Sequence, residues 1–221
     1  MPKICILGSG SWGTAQALLL SSKEFQVILW GRIEDGVDSL QQDRENRRFL
    51  PGIRLSDTIV ATSDLAQALK GADMVVMAVP SQSLREVLEK ARPYLGKDSC
   101  LVNTAKGLEI SSGMRMSQVV EDVLGKQSRE RYAVLSGPSH AEEVARNIPT
   151  AITVASYHKE NAFLVQDLYM TPFFRVYTNP DVAGVELGGA LKNIIALGTG
   201  IASGLGYGDN TQAALLTRGL H

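Results

Sequence analysis

Cysteine is scarce in this chain: Cys5 and Cys100 are the only two in 221 residues. Both fall inside apolar runs, so they read as reduced core thiols of an intracellular protein, and a disulfide framework is excluded. An excess of one charge is also missing. Twenty-two basic and 23 acidic side chains leave a net charge of −1. No overall basic field exists to draw nucleic acid or an acidic membrane surface, so anionic ligands have to be met locally. No apolar run reaches the length of a membrane span, and membrane insertion is not expected. The first residues enter a strand pattern at once, without a secretory h-region and cleavage site, which points to the cytoplasm. Internal repeats and low-complexity tracts are lacking too. What is abundant is apolar side chain, 44% of the residues, enough for a well-filled core.

Short β-branched runs alternate with helical patterns. Residues 2–7 (PKICIL) read as a strand, 12–22 as a helix and 26–30 (QVILW) as a second strand. Further strands are expected at 58–61, 74–79, 100–104, 133–136, 151–155 and 174–177, with helices at 65–69, 83–91, 116–124, 140–146 and 159–169. Runs such as VVMAV are apolar throughout, which suits a parallel sheet covered on both faces. The order predicts an α/β fold with a Rossmann-like, doubly wound, mostly parallel sheet. The pattern changes near Pro180, after which only helices and glycines follow. We therefore expect a dinucleotide-binding domain over 1–180 and the start of an all-α domain over 181–221. The second segment is about 40 residues long, too short for a core of its own.

Gly8-Ser9-Gly10-Ser11-Trp12-Gly13 fits G-x-G-x-x-G. The match follows an expected strand and opens an expected helix, which is the context a dinucleotide site requires. Gly8 permits the tight turn, Gly10 lets a pyrophosphate approach the backbone, and Gly13 lets helix and strand pack closely. Amides at the helix N-terminus then meet the phosphates. At the end of the second strand an acid would take the ribose 2′-OH of NAD, and an arginine the 2′-phosphate of NADP. Trp30-Gly31-Arg32 favours NADP, while Glu34 and Asp35 follow closely enough to serve a ribose. Arg32 can also be read as a solvated loop charge.

Lys106 sits after the strand at 100–104, on the edge where open α/β sheets bind ligands, and could meet a substrate phosphate. Ser136-Gly137-Pro138-Ser139-His140 offers turn amides and hydroxyls at the same edge. Lys192 lies in a nearly apolar helix beside Gly188, Gly189 and Ala196. Few charged neighbours suggest a partly desolvated amine with a lowered pKa, suited to proton transfer at an alcohol oxygen. The competing reading is a snorkelling surface lysine. Glu186, six residues earlier and nearly opposite on the helix, is a poor direct partner for it.

Seven segments occur in one order: GSGSWGTA, NRRFLPG, AVPS, NTAKGLE, SGPSHAEEV, ELGGALKNIIALGTGI and GDNTQAALLTRG. Together they make the chain resemble the bacterial NAD(P)-dependent sn-glycerol-3-phosphate dehydrogenases over its whole length. The resemblance implies reversible hydride transfer between NAD(P)H and dihydroxyacetone phosphate, giving sn-glycerol 3-phosphate for phospholipid synthesis. It implies that Ser11, Trp12 and Arg32 contact the cofactor, with Lys106 between cofactor and substrate. Gly137 and Ser139 would face the substrate and Ala141 the cofactor. Lys192 would give the forming alkoxide its proton. A homodimer is expected, and no metal. Family members continue past residue 221, so the chain resembles a C-terminally truncated member whose apolar helix faces stand uncovered and favour self-association. Two other readings are a module that holds NADP without turnover, and another reductase on the same scaffold, such as a ketopantoate-type enzyme. The KGLE, SGPS and GGALKN segments argue against the latter.

Overall fold

The computed structural model describes residues 1–219. Leu220 and His221 lie outside the described residues. The first half of the sheet-building chain runs β1 (Lys3–Leu7), α1 (Ser11–Ser21), β2 (Gln26–Trp30), α2 (Val37–Asp43), β3 (Glu45–Asn46), β4 (Leu50–Arg54), β5 (Ile59–Thr62), α3 (Leu65–Leu69) and β6 (Met74–Met77). Then come α4 (Leu84–Ala91), β7 (Cys100–Asn103), α5 (Met116–Leu124), β8 (Tyr132–Ser136), α6 (Ala141–Ala145), β9 (Thr150–Ser156), α7 (Lys159–Tyr169) and β10 (Phe174–Asn179). Two helices finish the described chain, α8 (Val182–Gly204) and α9 (Asp209–Gly219), with no strand between 182 and 219.

Eight strands form one sheet in the order β10-β9-β8-β7-β6-β1-β2-β5. The lack of polar alternation in β1, β2 and β6 has the expected cause. Ile4, Ile6, Val27, Leu29, Met74 and Val76 face one apolar layer, built with α1, α6 and α7. Cys5, Leu7, Ile28, Trp30, Val75 and Met77 face the other, built with α3, α4 and α5. Each strand is buried on both sides, so every position after the leading Lys3 of β1 and Gln26 of β2 is apolar. Burial also pushes the thiols of Cys5 and Cys100 up to about 12, which leaves both protonated and inert.

The sheet is mostly parallel, as expected, with one antiparallel seam. β8 and β9 pair antiparallel, with Leu135 opposite Val154, and β10 pairs parallel to β9. β9 and β10 therefore run against the other six strands. A second feature, the β3–β4 hairpin with α2 before it, was not expected from the sequence. β3 has two residues, and β4 contains Pro51 and Gly52, residues that argue against a strand.

α8 begins where β10 ends, and the Asp181 side chain caps it by accepting from the Gly184 amide at 2.9 Å. One turn later Glu186 is buried against the sheet. Its carboxylate accepts from the Ser117 amide and hydroxyl, both at 2.7 Å, from Arg115 Nη1 at 2.6 Å and from Tyr132 Oη at 2.7 Å. Desolvation and the adjacent carboxylate push the Tyr132 hydroxyl well above its ordinary value, so it stays a neutral donor. From residue 191 on α8 is largely uncovered: Leu191, Ile194, Leu197 and Ile201 are exposed, and so is Leu205 just past its end.

Candidate active site

The glycine turn joins β1 to α1 in the manner its spacing predicts. Gly8 has φ +119°, and a Cβ there would stand 2.7 Å from the carbonyl oxygen of Ala78. A Cβ on Gly13 would lie 1.9 Å from the carbonyl oxygen of Gly8, so that position tolerates no side chain. Gly10 is different, because a Cβ would meet nothing within 4 Å. It is the N-cap of α1, and no side chain caps the helix. Bare backbone and unpartnered helix amides thus face an open space, which is the chemistry that receives a phosphate.

That space is a cleft of about 630 Å³ at the carboxyl ends of the parallel strands. Of the residues expected at the site, Gly8, Gly10, Ser11, Trp12, Arg32, Lys106 and Ser139 line it. Gly13 lies behind the turn, packed against Gly8 and 3.4 Å from the Ala78 Cβ by its notional methyl. Gly137 and Ala141 do not border the cleft. Gly137 supports Lys106 through its carbonyl, and Ala141 is buried at the first turn of α6 among residues that pack on α1.

The two lysines differ in environment. Lys192 is exposed on α8, with Nζ donating to Asn193 Oδ1 at 2.9 Å, because the bare face of the helix does not enclose it. The expectation of a desolvated Lys192 is therefore corrected. Lys106 is the partly desolvated amine. Burial first, and the charge of Lys192 second, hold its pKa below the ordinary lysine value. Its Nζ donates to the Gly137 carbonyl at 2.9 Å and to Ser139 Oγ at 3.2 Å. α8 reaches this spot through Gly189, whose notional Cβ would sit 2.6 Å from Ser136 Oγ and 3.7 Å from Lys106 Cγ. Glycine lets the helix cross there without turning the Ser136 hydroxyl aside. Glu186, as expected, does not partner Lys192; it faces the sheet instead.

Arg32 lines the cleft beyond the end of β2, where its Nε and Nη2 bond Asp35 at 2.8 and 3.3 Å. The β3–β4 hairpin adds residues the sequence reading did not single out. Asn46 is buried and donates from Nδ2 to the Ser9 carbonyl and to Thr14 Oγ1, both at 2.8 Å. The Ser9 carbonyl is thereby satisfied within the turn, accepting from Thr14 Oγ1 as well. Arg48 and Phe49, at the hairpin tip, line the cleft. Their segment, NRRFLPG, was visible as a motif, but nothing in its spacing says that it folds back over the glycine turn.

A family model for the NAD-dependent glycerol-3-phosphate dehydrogenase N-terminus matches residues 3–162, and one for the C-terminus of the same family matches residues 181–221. A glycerol-3-phosphate dehydrogenase (NAD(P)+) of Syntrophomonas wolfei is 99% identical over 221 residues, covering 100% of this chain and 64% of that protein. One from Carboxydothermus hydrogenoformans is 54% identical over 99% of this chain and 65% of its own length. The crystal structure of glycerol-3-phosphate dehydrogenase from Coxiella burnetii superposes with a TM-score of 0.89 at 40% identity, covering 99% of this chain and 66% of that one. The chain thus spans 64% of the length of its Syntrophomonas relative. Uncapped glycine turn, cleft lysine and family match agree, and the chain belongs to the NAD-dependent glycerol-3-phosphate dehydrogenase family.

Proposed function

We propose that this chain carries the nucleotide cleft and the proton-donating helix of an NAD(P)-dependent glycerol-3-phosphate dehydrogenase, which interconverts dihydroxyacetone phosphate and sn-glycerol 3-phosphate for phospholipid synthesis. The observation that carries the reading is one juxtaposition: an uncapped glycine-turn helix and a desolvated lysine share a cleft, and the helix bearing Lys192 crosses beside that lysine at Gly189. Residues 1–180 form the nucleotide domain in this reading, and 181–221 the first part of a helical substrate domain. The protein acts as a cytoplasmic homodimer, a state that the exposed apolar face of α8 favours.

The open backbone at Gly10 fits a pyrophosphate, so the amides of Ser11 and Trp12 would hold the cofactor phosphates. The cationic lining of the cleft beyond β2 favours NADP over NAD, with Arg32 itself engaged by Asp35 at 2.8 Å. The reduced nicotinamide, when bound, supplies a hydride to the ketone carbon. Lys106, held by Gly137 and Ser139, sets a positive charge between cofactor and substrate and steadies the oxygen that becomes anionic. Ser139 and the Gly137 segment orient the substrate, and Ala141 backs the cofactor side. Lys192 delivers a proton to the alkoxide oxygen, or accepts one in reverse. The test is a fluorescence titration with NADPH followed by addition of dihydroxyacetone phosphate. Saturable binding and then loss of nicotinamide absorbance are expected. Failure of NADPH to bind overturns the reading.

A further inference from the structure

The ribose end of the cleft holds three cations, and they are not equivalent. Arg32 is bound by Asp35 through two hydrogen bonds, 2.8 and 3.3 Å long. Lys90 is bound by Glu86 at 2.6 Å. Each of these pairs is locally neutral. Arg48 lines the same cleft, yet among the described residues no carboxylate pairs with it. Its Nη1 donates to the backbone carbonyl of Glu34 at 2.7 Å, in the loop that follows β2. Its guanidinium lies 4.9 Å from the Phe49 ring centroid. The arginine is therefore held by one backbone bond and one aromatic face, with donors to spare.

The hairpin that carries Arg48 is itself fixed. Asn46 ties its first strand to the glycine turn, and the Phe49 amide donates back to Asn46 Oδ1 at 3.1 Å. Arg48 closes the other end against the Arg32 loop. The strap runs from the glycine turn, at Ser9, to the loop after β2, at Glu34, and its tip places an uncompensated charge on the side of the cleft where a ribose 2′ substituent would lie. A guanidinium with its charge unmatched recognises a phosphate far better than one already engaged by a carboxylate.

We infer that Arg48 is the residue that takes the 2′-phosphate of NADP(H), with the Arg32–Asp35 pair as a neutral neighbour. The inference rests on the reading that the cleft holds NAD(P). The test is binding, with NADP+ and NAD+ titrated separately into the wild-type chain, Arg48→Gln and Arg48→Lys. Arg48→Gln weakens NADP+ by about tenfold to a hundredfold, the range of a lost charge-assisted contact, and shifts NAD+ by less than about twofold. Arg48→Lys keeps the charge and loses less. Raising the salt concentration erodes the preference of the wild type for NADP+ but not that of Arg48→Gln. Equal weakening of both dinucleotides by Arg48→Gln overturns the inference, since Arg48 then serves the shared adenosine. No change in either overturns it as well. If the wild type binds neither dinucleotide, the cleft reading fails and this inference falls with it.

Discussion

Lys106 Nζ lies 2.9 Å from the carbonyl oxygen of Gly137, so a lysine after β7 is tied to the turn after β8. Its lowered pKa has a definite consequence for stability. The folded protein binds fewer protons than the unfolded chain between that lowered value and 10.5. Unfolding free energy therefore rises with pH across this window, and charged Lys106 opposes folding below it. Melting temperatures of wild type and Lys106→Met should diverge in favour of wild type as pH climbs from neutral toward the free-lysine value. A pH-independent difference would remove desolvation of Lys106 from the account.

Gly13→Ala and Gly10→Ala should separate folding from ligand binding. The first forces a methyl to 1.9 Å from the Gly8 carbonyl oxygen and should cost more than about 2 kcal/mol in a denaturant melt. The second adds a methyl in open space and should cost under about 1 kcal/mol, while NADPH affinity drops about tenfold or more. Equal melts for the two variants would contradict the packing at the turn.

Lys192→Ala should leave both the melt and NADPH binding nearly unchanged, because the side chain is exposed and outside the cleft. Turnover of dihydroxyacetone phosphate should fall by about a hundredfold or more, the usual contribution of a positioned proton donor. Preserved turnover would take the proton step away from Lys192.

Glu186→Ala strands Arg115 and the Tyr132 hydroxyl beside a buried gap. The expected loss is about 3–5 kcal/mol, typical of one half of a buried ionic contact. Tyr132→Phe removes a single donor and should cost about 1 kcal/mol. A chemical denaturation series on the three proteins gives the ranking directly.

The sheet and the glycine turn were legible because they rest on local physics. β1, β2 and β6 announce double burial by unbroken apolar runs, and Gly8, Gly10 and Gly13 announce their turn by spacing. α2 and the β3–β4 hairpin were not legible. Val37 and Leu40 are the only buried residues of α2, too few to show a period, and β3 is two residues long. The environments of Lys106 and Lys192 were also out of reach, because desolvation depends on what lies across the chain rather than beside it. Lys106 is enclosed by the turn after β8 and by Gly189 of α8, over 30 and 80 residues away. Glu186 could be dismissed as a partner for Lys192 from helix geometry alone, but its three partner residues lie on α5, β8 and the segment before α5.

The reversal of β9 and β10 has an arithmetic consequence. It returns the chain to the far rim of the sheet, so α8 must travel along β8 from Tyr132, met at Glu186, to Ser136, met at Gly189. Between the clamped carboxylate and the lysine tip the helix acts as a ruler with angular gradations. One inserted residue between them would carry Lys192 about 1.5 Å farther and swing it by about 100°. Length and phase of this short span are thus inherited together, and neither can drift without the other.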